Sequence, residues 1–596
     1  MRYQQAPVSK VYLPDRLYHV DFTSTCPIEQ KGDRALPSTD VMLGKWALWG
    51  CLAVVVQATS DGMYEAGSTN GQNHLLLQKG INEQPVIPRP AATFTTHHYT
   101  QPLDHFDNST KATFPQRYFL TKDALAINTL PRTSDGRVVV PVILYDGGET
   151  SIDNRKNVLH HGVVQMLSEA TQGVGIVLEH RYYGTSQPVL SEIGNTSDWG
   201  VDQLRWLNNR QSLEDSARFI REARLEGVPD DAVRRVIYYG ASYAGGRAAF
   251  MRTHYPHLVY GAIASSAVVA ATVDLPQYYY AIAQGAEPVC IQALQRAVAA
   301  ADEILAPTGL PNTTQIDALR SLLGLPGLDL DDVAGVLAEP LEHFQKLSWL
   351  HELPETTWGR FCTALVNTTL AHEVRRAHKT EVMALGTAAV SDALLSLLAF
   401  VRETVVIPCT KVSDVLTCFH TPASAERQDN GTLTDSKAWR FQVCTEWGYF
   451  QTAPPPPDVA RAQPSGPKIV SSRLNHHVMR KQLCNDGFTP GYYMTMPSEP
   501  DVSQTNVYGA TSIAMDRLAF INGEQDPWRP MTMHSFEYAY GGTRENTLDR
   551  PFWLIPDCWH HCDSDGLADS HKEPLRIRAV HEAMRTFVRH WLAQPL

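Results

Sequence analysis

Apolar positions along this chain follow two periods. Short continuous apolar runs end at glycine or at a polar turn, as strands buried on both faces do. Residues 138–145 run into Asp146-Gly147-Gly148-Glu149, and residues 175–178 run into Glu179-His180-Arg181. Residues 236–239 stop at Gly240, residues 518–523 lead into a polar turn carrying Asp526, and residues 552–555 stop at Pro556. Between these early and late runs the spacing becomes helical. Residues 291–301 place leucine, valine and alanine on one face of a helix, and residues 317–323, 331–337 and 387–401 behave similarly. The pattern predicts an α/β core split by a mostly helical insertion: core over 95–275, cap over 276–510, core again over 511–596.

One strand end carries a chemical signature. After Val236-Ile237-Tyr238-Tyr239-Gly240 come Ala241-Ser242-Tyr243-Ala244-Gly245-Gly246 and then helix-forming Arg247-Ala248-Ala249. Strand, tight turn, serine at the tip and helix together make a nucleophile elbow. Residues two before and two after the serine must be small so that strand and helix can pass closely. Gly240 and Ala244 meet that need, although alanine replaces the usual second glycine. A plain Gly/Ser turn would look the same over five residues. Downstream, Asp526 and then the pair His560 and His561 follow the chain order of an α/β-hydrolase triad. A serine hydroxyl needs an imidazole to take its proton, and the imidazole needs a carboxylate to fix its tautomer.

Several further segments resemble the prolyl-specific serine peptidase family of lysosomal Pro-X carboxypeptidase, dipeptidyl peptidase II and the fungal prolyl peptidases. They are His98-Tyr99-Thr100-Gln101-Pro102-Leu103-Asp104-His105-Phe106, Phe114-Pro115-Gln116-Arg117-Tyr118, and Glu179-His180-Arg181-Tyr182-Tyr183-Gly184. Ala264-Ser265-Ser266-Ala267, the run Trp439-Arg440-Phe441-Gln442-Val443-Cys444-Thr445-Glu446-Trp447-Gly448-Tyr449-Phe450-Gln451, and Gly523-Glu524-Gln525-Asp526-Pro527-Trp528 complete the set. The resemblance covers residue 98 onward. It implies an α/β-hydrolase core with a large, mostly helical cap between nucleophile and triad acid, with Ser242 as nucleophile, Asp526 as acid and His560 as base. His561 competes with His560 for the last role. It implies no cofactor and places the Glu179-His180-Arg181 motif in a supporting role.

The other site assignments rest on chemistry. Tetrahedral intermediates need two preorganised N–H donors. One is the amide of Tyr243, and the natural second is Gly147 or Gly148, with Gly147 preferred; an ordinary glycine turn is an equal reading of that loop. The resembled family cleaves on the carboxyl side of proline, which requires a short apolar pocket with flat walls. Trp528 is placed to be one wall, and Trp447 and Tyr449 are candidates for others or for packing between domains. Glu446 either binds a substrate terminus or braces the cap. Cys558 and Cys562 flank the histidine pair, as a local disulfide or as halves of longer ones. Zinc is the weaker reading in an oxidising compartment.

Composition fits an exported hydrolase. The chain has 596 residues, 43% hydrophobic, with a net charge of -12 and no basic run, which argues against nucleic-acid or anionic-membrane partners. Lys45, the apolar residues 46–56 and Val56-Gln57-Ala58 read as a secretory signal over 42–58, too short to span a bilayer. Residues 1–41 then read as a non-native extension before a true start at Met42, with a polar segment over 59–94. Eight cysteines follow the leader, an even number that suits disulfides. Sequons at Asn108, Asn195, Asn312, Asn367 and Asn430 suit a glycosylated surface. Secretion is expected, with a lysosome or vacuole as alternative, and proline-containing peptides are the expected partners. Carboxypeptidase, dipeptidyl peptidase and endopeptidase modes stay open, as does oligomeric state, a homodimer being one reading. An esterase on the same fold would lack the motifs at 179–184 and 439–451. A catalytically dead binding protein would not need an intact serine, aspartate and histidine.

Overall fold

The computed structural model describes residues 90–107, 110–193, 199–419, 433–455, 466–485, 487–488, 490–535 and 544–595. The expected leader, the residues before it, and the sequons at Asn108, Asn195 and Asn430 lie outside these. Asn312 and Asn367 are both exposed.

Eight strands form one sheet: β1 (Thr95–Pro102), β2 (Thr113–Thr121), β3 (Val139–Asp146), β4 (Val174–Leu178), β5 (Val233–Ala241), β6 (Val259–Ser265), β9 (Leu518–Gly523) and β10 (Phe552–Ile555). Their order is β1-β2-β4-β3-β5-β6-β9-β10. β1 and β2 are antiparallel, as are β2 and β4, and every other pair is parallel. All of β3 and β4 is buried, because helices cover both faces of the sheet. Alternation along the strands divides the core in two. Val236 and Tyr238 face one side with α2 (Asn209–Glu222) and α3 (Tyr243–His254), while Ile237 and Tyr239 face the other with α1 (Val163–Thr171) and the helix Leu575–Ala593. This is the α/β-hydrolase arrangement. Because β5, β6, β9 and β10 run parallel, the C-terminal ends of β5, β9 and β10 lie at the same end of the sheet.

The described residues between β6 and β9 are largely helical. They include α4 (Pro288–Leu305), α5 (Thr313–Leu323), α6 (Leu330–Ala338), α7 (Asp392–Val401) and α8 (Asp435–Gln442). The α7 helix begins later than periodicity predicts: Gly386 takes a φ of +65°, a 3₁₀ turn spans Gly386–Val390, and the Ser391 side chain caps the amide of Leu394. The helical run Asp392–Thr410 is apolar and long enough to cross a bilayer by length and composition. Leu394, Leu395, Leu397, Leu398 and Val401 are nevertheless buried in the helical layer, where α7 packs on α4. Disulfides join Cys290 to Cys362, Cys409 to Cys418 and Cys444 to Cys484. A two-stranded parallel sheet, β7 (Thr272–Asp274) with β8 (Gly448–Phe450), ties the segment after β6 to the helical layer.

Candidate active site

Ser242 sits between β5 and α3 at φ 61° and ψ −124°, a left-handed conformation a non-glycine residue adopts only under constraint. The turn is too tight for a larger neighbour: a Cβ at Gly240 would lie 1.9 Å from the carbonyl oxygen of Ala244. Gly245 and Gly246 similarly admit no side chain, since a Cβ would meet Ser265 O at 2.5 Å or Val268 O at 2.4 Å. The elbow is thus packed directly against the segment leaving β6.

Three loops bring Ser242, His560 and Asp526 together. His560 Nε2 lies 2.8 Å from Ser242 Oγ, and His560 Nδ1 lies 2.8 Å from Asp526 Oδ1. His561 makes neither contact. Its amide donates to Ser266 Oγ at 2.8 Å, and burial, then the His560 ring beside it, depresses its imidazole well below the ordinary range. The Asp526 turn is fastened to the histidine loop by Gln525 N–H donating to Cys558 O and Glu524 N–H donating to Ile555 O, both at 2.9 Å. Trp528 N–H donates to Asp526 Oδ1 at 2.9 Å. A disulfide closes Cys558 to Cys562 around His560, which commits both sulfurs. Just beyond, Tyr239 OH and Ser265 Oγ donate to Asp563 at 2.8 and 2.5 Å. His560 is therefore held on both sides of its loop.

The Glu179-His180-Arg181 motif lies behind the site. Glu179 accepts from Arg117 Nη2 at 2.6 Å and from Ser186 Oγ at 2.7 Å, and Arg181 binds Asp215 through Nε and Nη2 at 2.6 and 2.8 Å. His180 is 2.9 Å from the hydroxyl of Tyr243, and burial lowers its pKa to about 3, so it is neutral. Gln442 of α8 also donates to Tyr243 OH at 2.9 Å and accepts from Tyr183 OH at 2.6 Å. These bonds anchor α8 to the residue that follows the serine.

Three expected site residues sit elsewhere than their assigned roles require. Gly147 N–H donates to Leu178 O at 2.9 Å, holding its loop to β4, and so does not face an oxyanion; Gly148 N–H is likewise engaged, with Asp146 Oδ1 at 3.1 Å. The third amide of this loop, that of Glu149, bonds the residue's own carboxyl. Trp447 is fully buried, stacked edgewise on Tyr243 with ring centres 5.2 Å apart, and does not reach the cavity. Glu446 is also buried, and accepts the Asn209 amide at the start of α2 at 2.9 Å. Both brace the wall from behind.

The cavity beside Ser242 has a volume of about 490 Å³. Trp528, Tyr278, Tyr449 and Val268 form its apolar side next to the serine. Trp528 packs edgewise on Tyr278 and Tyr449, with ring centres 5.3 and 5.2 Å apart, and donates from Nε1 to Gln345 Oε1 at 2.7 Å. Glu149, Glu342 and Arg440 supply charge to the same lining. A second cavity, of about 340 Å³, shares Tyr278, Glu342, Arg440, Gln451, Met479 and Leu483 with the first.

A family model described as serine carboxypeptidase S28 matches residues 101–320 and 385–543. The chain belongs to this family. It is 31% identical to the probable extracellular serine carboxypeptidase of Arthroderma benhamiae, over 84% of this chain and 68% of that one. It is 28% identical to the mouse (Mus musculus) thymus-specific serine protease, over 80% and 84% respectively. It is 26% identical to the human (Homo sapiens) lysosomal Pro-X carboxypeptidase, over 74% and 79%. This S28 chain is a serine peptidase. Sequence reasoning missed Glu149, Tyr278 and Arg440 at its cavity. Tyr278 had no signal beyond a run of three tyrosines, whereas Arg440 stood inside a recognised motif and Glu149 at the end of a recognised loop.

Proposed function

We propose that this peptidase hydrolyses peptide bonds on the carboxyl side of proline, as an exopeptidase, with Ser242 as nucleophile, His560 as general base and Asp526 as the orienting acid. The unbroken chain Ser242 Oγ to His560 to Asp526 at the rim of an aromatic cavity carries this reading. Ser242 Oγ attacks the scissile carbonyl while His560 Nε2 takes its proton, and Asp526 keeps Nδ1 protonated and stabilises the imidazolium. His560 then gives the proton to the departing amine, and water reverses the sequence on the acyl-enzyme. The amide of Tyr243, in the first turn of α3, supplies one oxyanion donor. Trp528, Tyr278 and Tyr449 offer flat apolar surface suited to a pyrrolidine ring, which has no N–H to satisfy. The name of the human Pro-X carboxypeptidase supports the proline preference. An extracellular or lysosomal relative supports export. The 276–510 cap restricts entry to short or flexible peptides.

An endopeptidase is the second reading, and an esterase the third. The test is a fluorophosphonate probe on wild type and Ser242→Ala, followed by matched peptides carrying Pro-Phe or Ala-Phe. Labelling only of wild type and faster cleavage after proline is the expected result. Labelling with equal cleavage of both peptides would overturn the aromatic cavity as a proline pocket.

A further inference from the structure

Arg440 is the one arginine or lysine among the described residues that line the cavity holding Ser242. We infer that Arg440 binds the carboxylate at a peptide's C-terminus, with Glu149 as second contact, so that the chain works as a carboxypeptidase. The inference rests on the proposed serine peptidase mechanism and sets its mode.

Position supports it first. Arg440 lines both cavities and so marks their junction. Beyond it the second cavity carries Asp332, Glu339 and Glu342, which repel an anion. Glu149 and Glu342 also line the serine-side cavity, so within it Arg440 is the one group whose charge attracts a carboxylate. A guanidinium suits it, because its fork matches both carboxylate oxygens.

Rigidity supports it next. Arg440 belongs to α8, whose start is capped by Thr434 Oγ1 accepting from Lys437 N–H at 3.2 Å. Two residues on, Gln442 donates to Tyr243 OH, and the Trp439 ring meets the Tyr243 ring edgewise at 5.5 Å. The Cys444–Cys484 disulfide secures the turn after the helix. The distance between reader and nucleophile is thus set by direct contacts with the residue after Ser242, which is what cleavage at a fixed distance from a chain end demands.

Glu149 is the third observation. Its Oε2 is buried without a hydrogen-bond partner, an unmet demand that a ligand would satisfy. Burial raises its carboxyl above the usual range despite the opposing charge of Arg155 and His560, and Asp146 adds to the rise. Arg440 and Glu342 line the same cavity. Only in its protonated form does Glu149 donate to the carboxylate oxygen that Arg440 leaves open.

The test uses the full-length enzyme on three blocked peptides: acyl-Ala-Pro-Phe with a free acid, its C-terminal amide, and the amide with Asp in place of Phe. Wild type is expected to prefer the free acid. Arg440→Gln should lower kcat/KM on the free acid by about 10- to 100-fold, the worth of a charge-assisted contact, mostly through KM. It should change the amide less than about threefold, and Arg440→Lys should restore part of the loss. Probe labelling of Ser242 in each variant separates lost recognition from lost fold. Equal cleavage of acid and amide by wild type, or an equal loss on both in Arg440→Gln, would overturn the assignment. Preference for the Asp amide would also overturn it, since the arginine would then read a side chain. Cleavage of no peptide would sink the proline-peptidase reading and this inference with it.

Discussion

Glu446 gives the fold a pH dependence that one substitution should remove. The carboxyl is buried behind Trp447 and accepts the Asn209 amide at 2.9 and 3.2 Å. Burial dominates and raises its pKa to about 8, although that amide, the neighbouring Gln442 and Trp447 side chains and the charge of Arg247 oppose the rise. Below the ordinary carboxyl pKa of about 4.5 the group is neutral folded or unfolded, so it adds no pH dependence there. Between that value and about 8, the unfolded chain ionises while the folded one keeps its proton, and stability falls as pH rises. At pH 7 the loss is about 3 kcal/mol, taking about 1.4 kcal/mol per pH unit. A domain of this size unfolds with an entropy of roughly 1 kcal/mol/K, so the loss is worth about 3 °C in Tm. Glu446→Gln keeps an acceptor for Asn209 and cannot ionise. Thermal unfolding of both proteins at pH 4.5 and 7.5 and equal ionic strength should show the variant gaining about 3 °C on wild type between the two. Tm profiles that stay parallel would refute the reasoning, because Glu446 would then ionise freely in the folded state.

Asp526→Asn should leave the fold and Tm near wild type but lower kcat on the order of 10⁴-fold, since the amide favours the wrong imidazole tautomer; steady-state kinetics beside a thermal melt checks this. Gly240→Ala would set a methyl 1.9 Å from the Ala244 carbonyl and is expected to yield little folded protein, read by yield and circular dichroism. Replacing both Cys558 and Cys562 by alanine removes the closure around His560. The short loop implies a stability loss of about 2 kcal/mol, and kcat should fall roughly tenfold as the imidazole loses its fixed aim. A variant with wild-type kcat would assign the disulfide to stability alone.

The elbow and the strands around it were legible because local chemistry and tertiary demand coincide there. The run 236–239 must be apolar to lie inside a sheet covered on both faces, and Gly240 must lack a side chain because Ala244 O occupies the space. The helix at 288–305 was legible from its apolar spacing, but the start of α7 was set by Gly386 and the Ser391 cap. Other features depend on partners far away in sequence. Gly147 looked free to donate until β4 supplied Leu178 O. Trp447 and Glu446 stand in a conspicuous motif whose π-helical turn, Val443–Trp447, points both into the interior. Tyr278 reaches the cavity because its helix crosses beside Trp528, a packing that no local pattern encodes. The choice of His560 over His561 likewise needed the loop's backbone path, fixed by the disulfide and by Asp563.

The most direct measurement is a mass-spectrometric digest of peptides with proline next to the C-terminus, second from the N-terminus, or in the middle, run with wild type and Ser242→Ala. Wild type is expected to cleave after proline, fastest where proline precedes the last residue, and the variant not at all. Cleavage without regard to proline, or cleavage that survives Ser242→Ala, would contradict the proposed function.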